Sequence, residues 1–79
     1  MEQLQNVIVA LQELDQDPST PKNVKARIQS TIKVLNEKSE MSIRVSRALD
    51  ELGDITEDVN VQSYTRTQIF NIVSLLEII

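Results

Sequence analysis

The chain has 79 residues, with 12 acidic and 8 basic side chains and a formal net charge of −4. That length allows one domain with a small core, burying about 60–65% of the surface that the unfolded chain exposes. It holds no cysteine and no histidine, which removes disulfides, thiolate metal sites, and the commonest general base and metal ligand.

Negative charge and only two aromatic residues, Tyr64 and Phe70, argue against a nucleic-acid partner, which needs a concentrated positive field and stacking platforms. No apolar run reaches the roughly 20 residues of a membrane span. The opening "MEQLQNVIVALQEL" places an acid where a signal peptide carries basic residues, and spaces its apolar positions. The expectation is a cytoplasmic protein without cofactor or membrane association.

Strong helix formers and few breakers predict four helices, at about 2–15, 21–37, 40–55 and 63–78. In the first, Leu4, Val7, Ile8, Leu11 and Leu14 follow the 3–4 spacing of one helix face. Pro18 disfavours helical geometry in the residue before it and ends that helix near Asp15. The second is predicted to start with Thr20 as N-cap and Pro21 in the first helical position, with Val24, Ile28, Ile32 and Leu35 as its buried stripe. Ser39 is the expected cap of the third, which presents Met41, Val45, Ala48, Leu49, Leu52 and Ile55 on one face. Gly53 interrupts that face at a cost of about 1 kcal/mol in a helix interior.

Sliding the chain against itself by 41 positions aligns both hairpins without a gap. Leu4 falls on Val45, Val7 on Ala48, Ile8 on Leu49, Leu11 on Leu52 and Leu14 on Ile55. Further on, Asp17 meets Asp58, Lys25 meets Arg66, Ile28 meets Ile69, Ile32 meets Val73 and Leu35 meets Leu76. One offset serving both helices and the loop between them predicts two similar hairpins, and carries the third helix through Gly53 to reach Ile55. The period is in the range of HEAT and armadillo units, and "VKARI" resembles the start of a HEAT second helix. Two such units alone leave faces uncovered, so the halves must close on each other as a four-helix bundle or pair with another chain. The predicted fold is all-α: a compact antiparallel four-helix bundle made of two similar helical hairpins, with a weakly HEAT-like 41-residue repeat.

The segments "DPSTPKNVKARI" and "YTRTQIFNIVSLLE" resemble a small archaeal protein family of uncharacterised function. Its pattern has a Pro-x-x-Val-Arg helix start and a closing Thr-Arg-Thr-Gln-Ile-aromatic-Asn-Ile segment. Residues 65–72 fit the latter, with Phe70 as the aromatic, while Lys25 stands for arginine. Val59 and Gln62 stand where the family tends to have prolines. The resemblance covers nearly the whole chain and implies a compact helical bundle and an archaeal source. It supplies no catalytic or binding residues.

Candidate sites are few. Asp15, Asp17 and Ser19 have the spacing that opens a calcium loop, but position six is Thr20 rather than glycine and position twelve is Ala26 rather than glutamate. Lys22, Lys25 and Arg27 form a weak anion patch at the start of the second helix, on which a nucleic-acid or ribonucleoprotein accessory role would rest. Basic charge there opposes the helix dipole, so pairing with Asp15 or Asp17 is expected, and Asp17–Lys25 and Asp58–Arg66 are predicted as equivalent pairs. No arrangement of acids, lysines or hydroxyls suggests catalysis. The last helix has one core stripe of Ile69, Ile72, Val73 and Leu76, yet Phe70, Leu75, Ile78 and Ile79 spread around the rest of it. A helix apolar nearly all round expects cover on several sides. With Ile43, opposite the main stripe of the third helix, these residues form the predicted self-association surface of a homodimer. The expected function is a non-enzymatic structural or protein-interaction module.

Overall fold

A computed structural model describes residues 2–79. Helix α1 spans Glu2–Gln16, α2 Lys22–Leu35, α3 Met41–Thr56 and α4 Ser63–Glu77. The connections, 17–21, 36–40 and 57–62, are short, so consecutive helices run antiparallel. α1 packs on α2, α2 on α3, α3 on α4, and α4 returns to α1. Among the described residues neither diagonal, α1 with α3 or α2 with α4, is in contact. A stacked solenoid places like elements of successive repeats on each other. Here the halves close into a ring instead, and a shift of 41 residues carries the α2–α3 seam onto the α4–α1 seam. The halves are therefore related by an approximate two-fold about the bundle axis.

Burial follows the same shift. Val7 and Ala48, Leu11 and Leu52, Leu14 and Ile55, Ile28 and Ile69, and Leu35 and Leu76 are all buried in one continuous core. Apolar periodicity did not mark Thr20, Thr31 and Thr65, which are buried with Val61. Each occupies a core position in the repeat: Thr20 matches Val61, Thr31 matches Ile72 and Thr65 matches Val24. A buried hydroxyl needs a partner, and Thr31 finds one in its own helix, donating to the Arg27 carbonyl at 2.8 Å.

The backbone turns of the two corners repeat. Asp17 N–H donates to the Leu14 carbonyl (3.2 Å) and Asp58 N–H to that of Ile55 (3.1 Å). Thr20 N–H donates to the Asp17 carbonyl (3.1 Å) and Val61 N–H to that of Asp58 (3.2 Å). Both aspartates accept from the backbone N–H two residues on, Ser19 and Asn60, at 2.9 Å, the local closure that favours Asp in turns.

Two predicted caps differ. The residue preceding α2 is Pro21, and no side chain caps that end. Thr20 sits one step earlier, and its hydroxyl donates backward to the Leu14 carbonyl at 2.9 Å, closing the end of α1 instead. α3 is preceded by Glu40, again without a side-chain cap, so Ser39 lies outside the helix. Gly53 is helical, has no positive φ, and a β-carbon there would meet nothing within 4 Å.

Candidate interaction surface

The predicted anion patch is divided between two flanks of α2. Arg27 points to α3, with Nη1 3.4 Å from Asp54 Oδ2 and 3.9 Å from Glu51 Oε2. Lys25 lies on the other flank, its charge acting on Asp17. Lys22 is exposed. Lys25 thus acts on Asp17, one of the two acids expected to pair with this basic cluster, while Arg27 stands beside acids of α3 instead.

Asp17 titrates below the ordinary carboxylate range. The largest cause is the Ser19 backbone N–H, then the Ser19 hydroxyl donating at 2.8 Å, with Lys25 adding its charge. The predicted second pair, Asp58–Arg66, takes another form. Arg66 donates to backbone carbonyls, from Nε to Thr56 (3.1 Å) and from Nη2 to Asp58 (2.9 Å). The Asp58 carboxylate accepts from Asn60 N–H and, at 3.1 Å, from the Asn23 amide. The positions are equivalent, but Arg66 acts as a cap for the end of α3, using a planar fork that lysine lacks.

The residues of the predicted self-association surface do not share one face. Ile43 falls on the stripe of α3 that carries Arg47 and Asp54, which bond Glu37 (2.7 Å) and Arg27 near α2. Phe70 lies between Arg66 and Glu77 on the flank of α4 that meets α3. Leu75 and Ile78 continue a different stripe of α4, which starts at Tyr64 and Gln68, and those two line a hollow of about 80 Å³ with Ala10, Glu13, Leu14 and Asp17 of α1 and its turn. Ile79 packs partly buried against the core. It also borders an open groove of about 640 Å³ between α3 and α4, lined by Met41, Val45, Leu49, Leu76 and Glu77 among others.

What the structure does bring together is an outward face along the α4–α1 seam. Val9 is 42% exposed, Tyr64 61%, Leu75 38% and Ile78 73%. The matching places on the α2–α3 seam hold Asp50, Asn23, Val34 and Glu37. There a polar rim closes the seam, through the Arg27 and Arg47 pairs and the Arg44 guanidinium, which donates to the Leu35 carbonyl at 2.9 Å. Linker 36–40 joins the helices at that end, and Val34 is only 5% exposed. Leu75, the counterpart of Val34, is 38% exposed. Sequence periodicity marked Leu75 and Ile78 because α4 has too many apolar positions. It missed Val9 and Tyr64, which the repeat could have flagged, since each replaces a polar residue of the other half.

Comparison with known proteins adds a family. The uncharacterised protein family UPF0147 matches residues 1–79. A UPF0147 protein of Methanocaldococcus jannaschii is 38% identical over 75 residues, covering 94% of this chain and 81% of that protein. One of Thermoplasma volcanium is 38% identical over 72 residues, covering 90% and 81%. A crystal structure of the unknown-function protein MMP1188 superposes with a TM-score of 0.92 at 40% identity, covering 98% of this chain and 89% of that one. The four-helix arrangement and the archaeal resemblance carried by residues 64–77 agree with these relatives.

Proposed function

Starting from the membership of this chain in the archaeal UPF0147 family, we propose that the protein is a non-enzymatic interaction module that self-associates, with α4 and α1 as its contact face. The observation that carries this reading is the run of large apolar side chains Tyr64, Leu75 and Ile78, exposed on one stripe of α4, with Val9 of α1 exposed as well. Single exposed apolar residues are ordinary, but several sharing a face mark an interaction surface. On the other seam, built from the same repeat, the corresponding places hold Asp50, Asn23, the buried Val34 and Glu37.

A binding role fits the chemistry better than a catalytic one. The larger groove is apolar, with Glu77 as its one charged lining residue. The smaller hollow sets Tyr64 beside Glu13 and Asp17, with no cation among its lining residues. Among the described residues no helix is long and apolar enough to cross a membrane. Sedimentation velocity of the purified protein from low to high micromolar concentration tests the reading. A mass rising toward twice the monomer is the expected result, and a monomer throughout refutes self-association.

A further inference from the structure

The small hollow between α1 and α4 is lined by Ala10, Glu13, Leu14, Asp17, Tyr64 and Gln68. A shift of 41 residues carries these onto Glu51, Asp54, Ile55, Asp58, Asn23 and Arg27. All but Ile55 belong to the polar cluster that closes the other seam. Arg27 Nη1 lies 3.4 Å from Asp54 Oδ2 and 3.9 Å from Glu51 Oε2, and the Asn23 amide donates to Asp58 at 3.1 Å. On the α4–α1 side the arginine is replaced by Gln68, the asparagine by Tyr64 and the glutamate by Ala10. None of the three bonds is kept, and the hollow of about 80 Å³ stands in their place. The remaining ties of the α2–α3 seam are lost in the same way. Arg44, which donates to the Leu35 carbonyl at 2.9 Å, corresponds to Gln3, and the Arg47–Glu37 pair, at 2.7 Å, corresponds to Asn6 and Ile78.

The seams inside each hairpin keep a polar tie. Gln29 of α2 donates to Asp15 of α1 at 3.0 Å, and Arg66 of α4 to the Thr56 carbonyl of α3 at 3.1 Å. Among the described residues no side-chain hydrogen bond or ion pair joins α4 to α1. Core positions are shared by the repeat, so the seams differ in what crosses them outside the core. A single exposed ion pair contributes little. Several of them, with a charged donor on a backbone carbonyl and linker 36–40 besides, bind α2 to α3 more firmly. Parts of a fold with few such ties open before the whole unfolds. We propose that the bundle opens as a clasp: α4 parts from α1, while α2 and α3 stay paired as the hinge. The parting starts at the hollow, which the core residue Leu14 already borders, and uncovers the interior from that side. It needs no second copy of the chain and stands apart from self-association.

Hydrogen exchange of the wild type reads the opening helix by helix. It is followed by mass spectrometry at low micromolar concentration, in urea below the unfolding transition. Peptides from the middle of α1 and α4 are expected to open at least about tenfold more often than those of α2 and α3. Equal opening in all four helices overturns the proposal. Separate fraying of α1 and of α4 would give the same ranking, and a bridge across the seam tells the two apart. The chain has no cysteine, so the double variant Ala10→Cys/Gln68→Cys can be closed with a short bis-maleimide, its helix content checked by circular dichroism. Closing it is expected to slow the opening of both α1 and α4 at least about tenfold against the same variant left unbridged. The counterpart bridge, Glu51→Cys/Arg27→Cys, spans the hinge and is expected to leave the opening of α1 and α4 as it was before bridging. A bridge from position 10 to position 68 that leaves the exchange of α1 and α4 unchanged overturns the clasp in favour of fraying.

Discussion

The two seams of this bundle occupy equivalent places in a repeated structure, yet they are finished differently. The α2–α3 seam is closed by a linker and a rim of arginines and acids. The α4–α1 seam, among the described residues, has an outer α4 stripe without charge that exposes Tyr64, Leu75 and Ile78. Core positions and the backbone turns of the corners are held constant by the repeat, and the seams differ on the surface. There residues answer to what lies outside the monomer. A repeat thus acts as an internal control, separating positions needed to build a hairpin from positions used for something else.

The strongest test of that control is the core. Leu11→Ala and Leu52→Ala remove identical, fully buried side chains at equivalent positions. Each is expected to cost about 2–5 kcal/mol, and the two costs, from urea unfolding, should agree within about 1 kcal/mol. A larger gap would mean that the halves carry the core unequally. At the corners the halves should separate. Arg66→Ala removes two bonds to carbonyls at the end of α3 and is expected to cost about 1–3 kcal/mol, as for hydrogen bonds from a charged donor. Lys25→Ala, its counterpart, should cost less than about 0.5 kcal/mol, the usual range for a surface substitution.

The seams can be made alike. Gln68 matches Arg27, and Glu13 matches Asp54, so Gln68→Arg places a cation opposite an acid as on the other side. Monomer stability should change by no more than about 1 kcal/mol, since exposed pairs contribute little. Self-association should fall about tenfold, equivalent to about 1.4 kcal/mol, because the variant charges the α4 stripe. Gly53→Ala should stabilise by about 0.5–1 kcal/mol, since its β-carbon enters open space.

The smallest effect is a pH dependence. The folded value of Asp17 lies below its unfolded value. Its charged form therefore stabilises the fold above the unfolded value, and that contribution disappears as pH falls through the folded one. Asp17→Asn keeps an acceptor for Ser19, so the stability difference between it and the wild type should be flat from neutral pH to about 5. It should shrink below about pH 4, near the ordinary aspartate value.

Helical periodicity is a property of local spacing, which is why the apolar stripes of all four helices and the continuation through Gly53 were legible in the sequence. Ring closure was legible too, because two hairpins alone leave apolar faces bare. The caps were not. Thr20 has a side chain that suits a helix start, and only the fold shows the α1 carbonyl that competes for its hydroxyl. Arg66 likewise looked like a partner for a carboxylate, since backbone carbonyls at a helix end have no sequence signature. The surface suffered most: surplus apolar residues on α4 were visible, but their partition between the α3 flank and the α1 flank depends on which neighbour each stripe meets.

The ring has a topological consequence. Since α4 meets α1 as α2 meets α3, the order in which the chain visits the helices is only one of the possible orders. Five residues, 36–40, suffice to join α2 to α3, so a link of similar length should join the end of α4 to the start of α1. Cutting between α2 and α3 at the same time gives a circular permutant that begins at α3 and ends at α2. Its hairpins would trade places, and the same ring would form around the same core.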